Sequence, residues 1–144
     1  MEISTEENEK LVSAVYERAM GSVHAGSAIS DDENLVFQVE LLSQEVNSGA
    51  SFEQYFRWVG KGEVDQIVDL LNKLELTEVG VIVEKAIMIA FPDGVPDNED
   101  EYENCTEWNE SQEGKLESLF AEFEQYNGVI TNKLGGYIKV RKLV

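Results

Sequence analysis

The side chains able to do chemistry in this 144-residue chain are unevenly supplied: one histidine, His24, one cysteine, Cys105, and 29 carboxylates against 11 lysines and arginines. Nucleophilic or acid-base catalysis needs a nucleophile beside a base, a bound metal, or carboxylates whose pKa values are pushed apart. His24 has no second histidine with which to share a metal, and neither Gly-x-Ser-x-Gly nor His-Glu-x-x-His occurs. The fragments Gly60-Lys61-Gly62 and Gly135-Gly136 lack the spacing and the Lys-Ser/Thr ending of a phosphate loop. An EF-hand loop needs a glycine at its sixth position and oxygen ligands at its first, third and fifth. Counting from Asp97 puts Tyr102 at the sixth, and counting from Asp93 puts Val95 at the third. The expectation is a non-enzyme without catalytic residues, cofactor or metal.

What the carboxylates can do collectively is attract cations. A formal net charge of -18 repels nucleic-acid phosphates and anionic membranes, and draws in basic proteins over a Debye length of about 8–10 Å. The expected partner is therefore a basic protein, with no direct nucleic acid and no membrane. The same charge also keeps a soluble protein from aggregating.

The acids concentrate between residues 93 and 113, a stretch that holds no Lys or Arg. Pro92, Gly94 and Pro96 make its start an irregular loop. Asp100 to Ser111 is expected to be helical, so that Glu99, Glu103, Glu107 and Glu110 line one face at i, i+4, i+8 and i+11. Carboxylates so crowded oppose one another by a few tenths of a kcal/mol per i,i+4 pair, which an external cation relieves. The candidate partner-binding residues are Asp97, Glu99, Asp100, Glu101, Glu103, Glu107 and Glu110, with Glu6, Asp31, Asp32, Asp65 and Asp69 as additions. The competing reading is a set of solvated faces and a flexible acidic loop.

The elements that must position these acids are read from apolar spacing. Ser4 and Glu7 form a capping box for a helix to about Met20, carrying Leu11, Val12, Val15, Tyr16 and Ala19 inward. Ser30-Asp31-Asp32-Glu33 starts a second helix, and Leu35, Val39, Leu42 and Val46 define its buried face. Val64, Ile67, Val68, Leu71 and Leu74 mark another, and Leu116, Leu119, Phe120 and Phe123 one more, stopped at Asn127-Gly128. The segment Val79 to Ala90 suits a helix or a buried strand; its length favours helix, and Pro92 ends it. The last segment, to Val144, carries Lys133, Lys139, Arg141 and Lys142 and is assigned as helix over an alternating strand. One domain over residues 1–144, all-α with six or seven helices, accommodates the pattern. Met1-Glu2-Ile3-Ser4 has neither the basic nor the apolar region of a signal peptide, and no window approaches a membrane span; a cytoplasmic location is expected.

Between the second and the next helix lies the densest aromatic stretch. Asn47-Ser48-Gly49 reads as a helix stop, and Ser51 with Gln54 as a capping box for a helix bearing Phe52, Tyr55, Phe56 and Trp58. At least two of these aromatics should lie between neighbouring helices. Asn47, Gly49, Phe52, Gln54, Tyr55 and Phe56 form a hub whose polar members either line a groove or cap and cross-link helices.

The Asn-x-Gly turn, Phe-x-Gln-Tyr-Phe, the Gly60-Lys61-Gly62 break and the helix from Val64 to Leu74 resemble the DUF4375 family. The likeness continues through Ala86-Ile87-Met88-Ile89-Ala90-Phe91-Pro92 to Tyr137-Ile138. Where that family has Asn-Asn-Gly-Gly before the aromatic, this chain has Asn47-Ser48-Gly49-Ala50-Ser51, with one glycine fewer and one residue more. Characterised relatives in that family include acidic DNA-mimic proteins. The resemblance implies a helical fold and an anionic array that occupies the DNA-binding surface of a basic protein or transcriptional regulator. A homodimer would lengthen that array. An inhibitor of a basic toxin or nuclease, or a ligand-binding module using the hub, are the alternatives. A toxin gene beside this one would favour the inhibitor, and a concave salt-indifferent pocket at the hub the module.

Overall fold

Helix-forming periodicity is realised throughout: the computed structural model describes residues 5–143, and among these it contains eight α-helices. They are α1 (Thr5–His24), α2 (Asp31–Gly49), α3 (Glu53–Trp58), α4 (Lys61–Lys73), α5 (Thr77–Ala90), α6 (Glu99–Asn104), α7 (Glu110–Glu124) and α8 (Asn127–Arg141). The fold is all-α, and both segments with strand-like composition, α5 and α8, are helical. Ser4 lies outside the described residues. By their internal contacts, Met1–Leu41 with Asn127–Val144 form one unit and Leu42–Tyr126 another, the division falling within α2.

In the first unit α1 packs on α8. Val12, Val15, Tyr16 and Ala19 of α1 and Ile130, Leu134 and Ile138 of α8 are buried. The helices approach closely because Gly135 has no side chain: a Cβ there would lie 2.0 Å from Asn8 Oδ1. Asn8 instead donates to Asn132 Oδ1 at 2.9 Å. The start of α2 is capped as its sequence implies. Ser30 Oγ accepts from Glu33 N at 3.1 Å, and Glu33 Oε1 accepts from Ser30 N at 3.5 Å. Phe37 stacks on Tyr16 with ring centroids 5.2 Å apart.

In the second unit α5 packs against α4 and α7, and the aromatic stretch lies at the centre of a ring cluster. Phe52 meets Phe123 edge-on at 5.6 Å, Phe56 meets Phe91 at 5.4 Å, and Phe91 meets Tyr102 at 5.2 Å. Phe52, Tyr55 and Phe56 are fully buried. Trp58, on the same short helix, is not.

The local chemistry of the corner differs from the reading of its sequence. α2 continues through Asn47 and Gly49, and the left-handed residue is Ala50, at φ 50°. Gly49 serves close approach instead: a Cβ there would lie 2.8 Å from Gln54 Cβ. Ser51 Oγ accepts from Glu53 N at 3.3 Å, but Gln54 does not reach back to it. Its amide donates to Glu45 Oε2 at 2.8 Å, tying α3 to α2. The Asn47 amide donates to Ser43 O at 2.7 Å, within its own helix.

Candidate partner-binding surface

The acidic segment is held by buried aromatic side chains and presented by polar caps. After Phe91 the chain turns through Gly94, whose positive φ of 93° suits a residue without Cβ, and whose N–H donates to Phe91 O at 2.9 Å. Asn98 Oδ1 accepts from Glu101 N at 2.8 Å and starts α6. Glu99, Asp100 and Glu101 occupy the first turn, where the exposed backbone N–H groups favour negative charge. Tyr102 points inward, its hydroxyl donating to Phe56 O at 2.7 Å.

The single helical face expected for Glu99, Glu103, Glu107 and Glu110 does not form. α6 ends at Asn104, Glu107 lies in the connection, and Glu110 is the first residue of α7. The cause is tertiary. Trp108 is buried and its Nε1 donates to Ala90 O at 3.0 Å, which holds the chain against the end of α5. Asn109 then caps a new helix: its Oδ1 accepts from Gln112 N at 2.8 Å, and Gln112 Oε1 accepts from Asn109 N at 3.0 Å. Gln112 also donates to Ile89 O at 2.9 Å.

Asp97, Glu99, Asp100, Glu101, Glu103, Glu107 and Glu110 are all exposed. Among the described residues none of them forms an ion pair. Asp93, Asp97 and Glu101 line an open depression of about 430 Å³ that also contains the exposed Cys105. Of the five additional acids, Asp31 and Asp69 are exposed and the other three are engaged. Glu6 pairs with Lys10 at 3.8 Å, and Asp65 is hydrogen-bonded to Lys61. Asp32 accepts from the Tyr137 hydroxyl, which partial burial and that bond push up to about 12.

Sequence reading took Gly60 only as part of the Gly60-Lys61-Gly62 break and gave it no place in the acidic surface. Glu63 Oε2 accepts from Gly60 N at 3.0 Å, the half of a capping box that a glycine can make. The Glu99 carboxylate arrives at the same place: a Cβ on Gly60 would stand 2.9 Å from Glu99 Oε2 and 3.3 Å from Glu63 Oε2. Two carboxylates thus converge on the N-terminal end of α4. Lys61 lies in the field of Glu99 without pairing with it; its hydrogen bond to Asp65, with the charges of Asp65, Asp97 and Glu99, raises its ammonium above the ordinary lysine value. The Gly-x-x-Glu spacing was readable as a cap, but the arrival of Glu99 depends on the fold.

Chemically this surface offers acceptors and negative charge. Among the described residues no group of three or more His, Cys, Asp or Glu is arranged to hold a metal ion, and no helix is long and apolar enough to cross a membrane. A family model described as DMP19-like protein matches residues 27–141. The chain belongs to the DMP19-like protein family. The match takes in the corner, the acidic segment and α8. No curated protein and no solved structure matches this DMP19-like chain.

Proposed function

We propose that this DMP19-like chain is a non-catalytic DNA mimic that binds a basic DNA-binding protein or transcriptional regulator through the carboxylates between Asp97 and Glu110. The observation that carries the reading is their condition: seven exposed acids in one short segment, without an ion pair among the described residues. Membership of the DMP19-like family is compatible with it. Duplex DNA presents one negative charge per roughly 3.4 Å on each strand. Side chains one helical turn apart, as Glu99 and Glu103 are, stand roughly 5–6 Å apart at Cβ, so several Lys and Arg side chains can be answered together. In this reading the protein acts in the cytoplasm, and a second copy of the chain would lengthen the anionic surface.

The test is capture of partners on the immobilised protein at low salt, followed by stepwise elution with salt and, separately, with duplex DNA. The expected partner binds DNA, is displaced by it, and leaves as salt rises. Replacing Glu99, Asp100, Glu101 and Glu103 by Gln or Asn should weaken its binding and flatten the salt dependence. A partner held equally at low and high salt, or indifferent to duplex DNA, overturns the proposal.

A further inference from the structure

Trp58 ends α3 with 76% of its surface exposed, although Tyr55 and Phe56 on the same helix are fully buried. The other tryptophan shows what such a ring does when it has company. Trp108 is buried, and the Arg57 guanidinium lies over its ring at 5.2 Å. Among the described residues Trp58 has no ring partner and no cation.

The backbone bounds how far its Cα stands from the acids. Val59 (φ -98°, ψ 167°) and Gly60 (φ -107°, ψ -175°) are extended and lead straight into α4. Two residues span at most about 7 Å, so Trp58 lies within a Debye length of Gly60, where the Glu63 and Glu99 carboxylates converge. A large apolar ring near the exposed Glu99 carboxylate, and near a Glu63 carboxylate that uses one oxygen to cap Gly60 N, suits a planar cation. The guanidinium of arginine is weakly hydrated, stacks on an indole face, and presents forked donors to carboxylate oxygens; the lysine ammonium is a strongly hydrated point charge.

We propose that Trp58, with Glu63 and Glu99, forms a docking surface for an arginine side chain of a basic protein, the guanidinium stacking on the indole and donating to the carboxylates. The inference rests on the reading of the acidic surface as a site for a basic partner, and adds which cation it prefers and which residue confers the preference.

Hexa-arginine and hexalysine peptides serve as probes, titrated at low salt into the intact protein and into Trp58→Leu and Trp58→Phe. The exposed side chain can be replaced without disturbing the core, which circular dichroism checks. The expected result is a preference for hexa-arginine of about two- to five-fold, lost in Trp58→Leu and partly kept in Trp58→Phe. Both peptides should still bind Trp58→Leu in a salt-dependent way. The Trp58 indole N–H resonance should shift with hexa-arginine while that of Trp108 stays. Equal affinities for the two peptides, or a preference that survives Trp58→Leu, overturns this inference alone. Binding of neither peptide overturns it together with the reading of the acidic surface.

Discussion

Two buried tyrosines in the same unit make opposite predictions for the same substitution. The Tyr55 hydroxyl is buried and among the described residues has no hydrogen-bond partner. The Tyr102 hydroxyl donates to Phe56 O at 2.7 Å. Leaving a buried hydroxyl unpaired costs about 1–3 kcal/mol, and removing it from an apolar surround recovers part of that. Tyr55→Phe should therefore raise stability by about 1–2 kcal/mol. Tyr102→Phe should lower it by about 1–3 kcal/mol, since the Phe56 carbonyl loses its donor.

The pH dependence gives a second signature. Burial, then the neighbouring Tyr102 and Glu63, hold the Tyr55 hydroxyl far above the ordinary tyrosine value of 10.0. Above that pH the unfolded chain releases a proton that the folded chain keeps, so stability declines as pH rises, by about 1.4 kcal/mol per pH unit for each such group. Tyr55→Phe removes one such group. Its advantage over the parent should then widen from about pH 10 upward, at about 1.4 kcal/mol per pH unit. Urea unfolding followed by circular dichroism from pH 7 to 11 measures both effects. A Tyr55→Phe protein less stable than its parent at pH 7, or a difference that stays flat between pH 9 and 11, refutes the assignment of Tyr55 as an unpaired buried hydroxyl.

Gly135→Ala should destabilise the α1–α8 packing by about 1–3 kcal/mol, because the new methyl falls on the buried Asn8 side chain. Thermal melts should show most of the loss recovered when Asn8→Ala is added, and a double variant no better than Gly135→Ala would disprove the contact. Asn109→Ala should cost about 1 kcal/mol in urea unfolding through loss of the α7 cap, whereas a change below about 0.3 kcal/mol would show that Gln112 and Trp108 alone set that boundary.

How far the sequence could be read depended on whether a feature was local. The α2 face Leu35, Val39, Leu42 and Val46 is buried along its whole length, and the Ser30 cap forms with Glu33. Both are decided by neighbours within a turn or two of helix. Glu45 meeting Gln54, the left-handed Ala50 and the exposure of Trp58 follow from how α3 is laid down, and no short spacing encodes that. Three of the four aromatics at the corner go inward, and the fourth, Trp58, is exposed. For the candidate surface, residue identities were legible as an acidic run; their grouping was not.

The break between α6 and α7 changes what the acidic run can present. A continuous helix would have set its carboxylates at one regular repeat along one line. Instead Glu99 and Glu103 belong to a short helix fastened inward by Tyr102, Glu107 to a connection fastened by Trp108, and Glu110 to a separately capped helix. The first two groups take their orientation from buried anchors and Glu110 from the exposed Asn109 cap. Any partner that reads them together therefore reads the Tyr102 and Trp108 hydrogen bonds as well. A substitution at either anchor, such as Trp108→Phe, should disturb recognition although neither side chain is exposed to be touched. Substitution of a solvated carboxylate alters one charge; substitution of an anchor alters the spacing among several.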